Sequence, residues 1–266
     1  MYAYGYSIDK IISFVDEFKV KKIFSHKTDD APSLIGCGGL YDFLESKFGS
    51  HTFKDMKIPF AVTAVDIRTG KEIIINKGPI IDAVKATTAV PGVFPSIIIN
   101  NLFLIDGGVL DPVPVSVARW LYPNSPILAI CLSLGEESWS NLPRVQVSSF
   151  ISIPTFLFDY LINLKIGKVA RVSLKSIEIM QMMIAELRLK IDRPDVIIRP
   201  LSKNYYFLDD IDPYKLIEGG EKKVKEKLTS IEKAYKINKR IYRWIKPTHP
   251  PGLLIDEAVF DNKSGE

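Results

Sequence analysis

Between Phe60 and Asp106 lie four apolar runs of strand length, "FAVTAVDI", "KEIIIN", "PSIIIN" and "NLFLID", and no other feature constrains the fold as tightly. The first two flank Arg68-Thr69-Gly70, a short glycine-containing turn of the kind that joins antiparallel strands. The second two meet at Asn100-Asn101, where asparagine tolerates the positive φ of a tight hairpin. Between the pairs, "PIIDAVKATTAV" reads as a helix ended by Pro91. After them come a helical "VPVSVARWL" and then "PILAICLSL", a continuous apolar run expected of a strand buried on both faces.

The flanking sequence extends this alternation. Ser7 is placed to N-cap a helix carrying Ile8, Ile11, Ile12, Phe14, Val15 and Phe18. Leu40, Phe43, Leu44 and Phe48 predict a second amphipathic helix that ends near Gly49. A long helical region is expected from about residue 154 to residue 190, broken near Gly167, with Ile177, Met180, Ile184, Leu187 and Ile191 on one face. "DVIIRPL" is a late strand, and Tyr214 to Ile241 a Lys/Glu-rich helix with Pro213 in its first turn. Strands alternating with helices predict an α/β sheet domain.

Composition narrows the function classes. The 266 residues are 47% hydrophobic and 25% charged, as in a folded globular protein. A net charge of +4 is too small to argue for nucleic acid as a partner. Cys37 and Cys131 stand far apart, in neither a disulfide nor a zinc pattern, and fit a reducing cytoplasmic setting. No secretory leader precedes the first helix, and no apolar run reaches the length of a membrane span, so a soluble or membrane-peripheral protein is expected.

Asp106 is the leading candidate for chemistry. It ends an apolar strand and is followed by Gly107 and Gly108, which let another segment or a substrate approach closely. Functional sites of open α/β sheets gather at such carboxyl ends, where desolvation turns a carboxylate into a better general base. An Asp-Gly pair also closes ordinary turns, and the tripeptide alone leaves both readings open.

The context of the tripeptide is more specific. From Ala83 to Leu121, "AVKATTAVPGVFPSIIINNLFLIDGGVLDPVPVSVARWL" closely resembles the patatin-like phospholipase family, in the branch related to neuropathy target esterase. Ala89, Pro91, Gly92, Phe94, Pro95, Asp106, Gly107, Gly108, Asp111 and Pro114 match the family's pattern. "YGYSIDKIISFV", "GCGGLYDFLESKFG", "IPFAVTAVDIRTGKEI", "RPDVIIRPLS" and "YKLIEGGEKKVKEKL" stand in the family's order around that core.

The resemblance implies a three-layer α/β domain with a mainly parallel central sheet, here residues 1–245, followed by a tail at 246–266. It also implies a serine esterase acting on phospholipid or lysophospholipid esters through a Ser-Asp dyad, with Asp106 as base and Gly107 and Gly108 setting the turn that aims it. No metal or organic cofactor is implied. The partners are a lipid or ester substrate and a peripheral membrane surface.

One departure is plain. The family's serine lies in a Gly-x-Ser-x-Gly elbow, and none occurs in these residues; "GYSID" and the stretch around Ser138 fail the spacing. The expected order puts the first strand, the oxyanion loop and the elbow just before residue 1, so the domain reads as truncated at its N-terminal edge. A non-catalytic lipid-binding or scaffold protein of the same fold is the alternative.

The remaining candidates have simpler readings. His26, His51 and His249 read as surface residues. "GCGG" at residues 36–39 lacks the strand and spacing of a phosphate loop, which also weakens a nucleotide-binding reading. Cys131 and Met180, Met182 and Met183 read as core. "FISIPTFLFDYLINL" at 150–164 is read first as helix packing and second as a lipid-facing lip. The basic half of the last helix, residues 233–243, is a second candidate for contact with anionic lipid.

Overall fold

The computed structural model describes residues 1–17, 38–133, 135, 165–201, 212–236 and 250–255. Helix α1 (Ile8–Glu17) starts where the backbone N–H of Lys10 reaches the Ser7 hydroxyl at 3.3 Å, as the cap predicts. Helix α2 (Gly38–Phe48) ends at Gly49, whose φ of +50 lets its N–H turn back to the Glu45 carbonyl at 2.7 Å. Lys47 ties the two helices together: its ammonium lies 4.4 Å from the Phe14 ring centroid and 2.6 Å from Glu17.

Both expected hairpins form. Strands β1 (Val62–Asp66) and β2 (Lys71–Ile75) pair antiparallel around Gly70, at φ +65. Helix α3 (Ile80–Thr87) follows, and then β3 (Ile97–Ile99) and β4 (Leu102–Asp106) pair around Asn100 and Asn101, at φ 42 and 63. These left-handed values match the strands' twist, which is why the two-residue turn selects asparagine. Helix α3 stops at Thr87 and not at Pro91, which lies in the next turn beside Gly92.

The hairpins join through β1 and β4, also antiparallel, with Ala64 opposite Asp106 and Asp66 opposite Leu104. That register puts Ala64, Leu104, Ile73 and Ile75 on one face, because side chains alternate along a strand. Against that face pack Phe48, Ile80, Ala83 and Ala86, the last two with no exposed surface. Each isoleucine or leucine fully buried there contributes about 1.5–3 kcal/mol.

Helix α4 (Val115–Leu121) follows the Asp-Gly-Gly turn. A last strand, β7 (Leu253–Leu254), lies parallel to β2, giving the order β3-β4-β1-β2-β7. The sheet is therefore mixed. The expectation of a mainly parallel sheet fails because tight turns return a strand antiparallel to its neighbour, whereas parallel pairing needs a long crossover. The α/β class holds.

The chain divides into two compact units, Met1–Pro123 with Pro247–Glu266, and Asn124–Lys246. In the second unit, β5 (Leu128–Ile130) and β6 (Val196–Ile198) pair in parallel, with helix α5 (Lys165–Asp192) between them in sequence. Helix α5 runs through Gly167 without a break. Its buried side carries Ala185, Glu186 and Leu189, while Leu187 and Ile191 are exposed, as are Met180 and Met183, which the sequence placed in the core.

Strand β5 pairs only with β6 among the described residues, and Ile130 is exposed, against the expectation of burial on both faces. Helix α6 (Pro213–Ala234) is capped by Asp212, whose Oδ1 accepts the N–H of Tyr214 at 3.0 Å, and it lays Ile231 and Ala234 on Val196 and Ile198. Residues 18–37, 136–164, 237–249 and 256–266 lie outside the described residues, and with them Cys37, His26, His249 and the stretch at 150–164.

Candidate active site

Asp106 closes β4 at its carboxyl end, as the sequence suggests. Its backbone N–H donates to the Ala89 carbonyl at 3.0 Å, anchoring the strand tip to the turn after α3. Its Oδ1 accepts the Gly108 N–H at 2.7 Å, so the carboxylate caps the 3-10 turn of Gly107–Val109. One carboxylate oxygen is thereby held in a fixed direction. Burial pushes the carboxyl above the ordinary Asp value of 3.8, opposed by the Gly108 N–H.

Gly107 has a steric cause. A Cβ added there would meet the Thr63 side-chain oxygen, and it would lie 2.5 Å from the Thr63 carbonyl oxygen, closer than atoms tolerate. The same carbonyl accepts the Thr87 hydroxyl at 2.7 Å. Gly107 in turn gives its carbonyl to the N–H of Asp111, whose side chain is 1% exposed. Thr63 and Thr87 were not marked by the sequence reading. The only trace of this support is the spacing of Ala83, Ala86 and Ala89, three small residues that let α3 and its exit turn come close to the sheet.

A second buried carboxylate makes a useful contrast. Asp66, on β1, is 2% exposed. The Thr69 hydroxyl at 2.7 Å holds its pKa low; burial opposes this, and the N–H groups of Phe103 and Arg68 add to it. Asp66 is locked into closing the β1–β2 turn. Asp106, with a single N–H donor among the described residues, is left with an oxygen to use.

The other candidates do not converge on Asp106. His51 sits at the surface, where its Nε2 meets the Tyr4 hydroxyl at 2.7 Å and its Nδ1 faces Asp55 at 3.8 Å. Cys131 is buried, as expected, beside the Ser133 hydroxyl and under the Arg199 guanidinium at 3.2 Å. Among the described residues no cluster of His, Cys, Asp and Glu is arranged to hold a metal ion. None of their helices is long and apolar enough to cross a membrane.

Known proteins share part of this sequence. The sequence profile of the family described as patatin-like phospholipase matches residues 1–119, the stretch that contains α1 to α3, most of α4 and Asp106. Residues 1–119 are thus similar to the patatin-like phospholipase family. An uncharacterized NTE family protein of Mycobacterium tuberculosis is 29% identical over 86 residues, which are 32% of this chain and 24% of that protein. A second one from the same species is 32% identical over 86 residues, 32% of this chain and 15% of its own length. An uncharacterized NTE family protein of Mycobacterium bovis is 29% identical over 86 residues, 32% of this chain and 24% of its own length. The match spans about a quarter or less of each relative. The matched segment contains the Asp-Gly-Gly turn together with Thr63 and Ala89 that hold it in place.

Proposed function

We propose that this chain carries the base of a Ser-Asp lipid acyl hydrolase acting on phospholipid or lysophospholipid esters. The observation that supports it best is the state of Asp106: a strand-end carboxylate with a raised pKa, one oxygen held by Gly108 and the other left to take a proton. No Gly-x-Ser-x-Gly elbow occurs in these 266 residues, so this reading requires the serine to come from polypeptide outside them.

In the first half-reaction the serine Oγ attacks the ester carbonyl as Asp106 accepts its proton, and backbone donors of the oxyanion loop stabilise the tetrahedral oxyanion. Collapse expels the alcohol, which leaves with the proton from Asp106. In the second half-reaction Asp106 deprotonates a water that attacks the acyl-serine. The fatty acid departs and the serine regains its proton. Every step is acyl or proton transfer. The modest positive charge of the chain supports approach to anionic lipid at a membrane surface, in a reducing cytoplasm.

The test is Asp106→Asn in the form that carries the elbow. Hydrolysis of a p-nitrophenyl ester and of a lysophospholipid should fall by about 10²–10⁴-fold, with an unchanged circular dichroism spectrum. Turnover near that of the parent would sink the assignment. The intact mass of the protein from its native source identifies the form to assay. A mass of 30.0 kDa would leave the nucleophile absent and turn the question to lipid binding.

A further inference from the structure

The outer edge of β2 is covered by β7, a segment remote in sequence. Four observations bear on how it is held. The N–H of Ile255 donates to the Ile74 carbonyl at 3.2 Å, continuing the parallel register of Ile73 with Leu253 and Ile74 with Leu254. The Ile255 side chain is 4% exposed and joins the same core cluster as Ile73, Ile75 and Leu104. Gly252 passes so near the edge that a Cβ there would lie 2.8 Å from the Glu72 carbonyl oxygen. Between these two anchors, Leu253 and Leu254 stay 51% and 47% exposed.

We propose that the β2 edge is a built acceptor site for an extended strand, and that residues 252–255 of this chain are its occupant, a detachable strap on the sheet that carries Asp106. The fit is specific at both ends: glycine where the backbones nearly touch, and isoleucine where the core opens. The middle is held by backbone pairing and little side-chain burial, which keeps the opening cost local. Pro250 and Pro251 lead into it without N–H groups and favour an extended approach. Release would lay open the edge beside Ile73, Ile74 and Ile75, all fully buried, a run of the kind that recruits other strands. This inference does not depend on which chemistry Asp106 performs.

Hydrogen exchange on the full chain tests it, with Gly252→Val, Ile255→Asp and Leu254→Asp compared with the parent. In the first two, exchange across residues 71–76 should accelerate by about tenfold or more, while residues 97–106 stay within about twofold of the parent. Leu254→Asp should leave both regions unchanged. Unaltered protection at 71–76 in Gly252→Val and Ile255→Asp would overturn the proposal. So would equal loss at 97–106, which would make the segment an ordinary part of the core and not a strap. Release by Leu254→Asp to the same degree would overturn the two-anchor hold.

Discussion

Two aspartates on neighbouring strands show how the same carboxylate is turned to opposite ends. Asp66 has its pKa lowered by Thr69 first and by backbone N–H groups, against the effect of burial; Asp106 has its pKa raised by burial. Stability from Asp66 is present above the ordinary value of 3.8 and is lost as pH falls through its lower folded value. For Asp106 the sign reverses: its contribution is full below 3.8 and is lost as pH rises through its higher folded value. Asp66→Asn should therefore cost about 2 kcal/mol at pH 7, from lost charge-assisted hydrogen bonds, and less at pH 3. Asp106→Asn, which keeps an oxygen for the Gly108 N–H, should raise the melting temperature at pH 7 and leave it unchanged below pH 3.8. Melting curves from pH 2 to pH 8 check both, and profiles parallel to the parent would contradict them. The direction at Asp106 was anticipated from desolvation at a strand end, whereas that at Asp66 was not. "VDI" and "IDGG" each show an Asp at a strand end, and only the donors around it separate a turn lock from a base.

At the scale of elements, the local signals that succeeded were those with a steric cause confined to a few residues. Asn100-Asn101 specified a hairpin because two consecutive residues must adopt positive φ there, and Ser7 and Gly49 marked helix ends for equally local reasons. Asn101→Val should cost about 1–3 kcal/mol through strain at φ 63, measurable by urea denaturation, whereas Asn101→Gly should be nearly neutral. The signals that misled were those that asked where an apolar residue points. Helix α5 has apolar residues around much of its circumference, so periodicity could not choose between the side with Ala185 and Leu189 and the side with Met180 and Leu187. The deciding contact is polar and non-local: Glu186 meets the Arg199 guanidinium at 2.6 Å, just beyond β6. Likewise the steric reason for Gly107 lies on β1, at Thr63, far away in sequence.

For the whole molecule, the element order gave the α/β class, and the turn lengths already contained the correction to its sheet. Two hairpins joined through β1 and β4 can only give a largely antiparallel centre. Leu104, with no exposed surface two residues before Asp106, sits in that centre, and Leu104→Ala should cost about 2–5 kcal/mol in chemical denaturation. The sequence left open whether the C-terminal segment docks, since "GLLI" carries no signal of which edge it will meet. Its placement has a consequence for synthesis. The two strands of each hairpin leave the ribosome close together, but residue 73 must wait for residue 253. A nascent chain therefore holds β1 to β4 with one isoleucine-lined edge unpaired until β7 emerges, and that interval is when a chaperone has the most to protect.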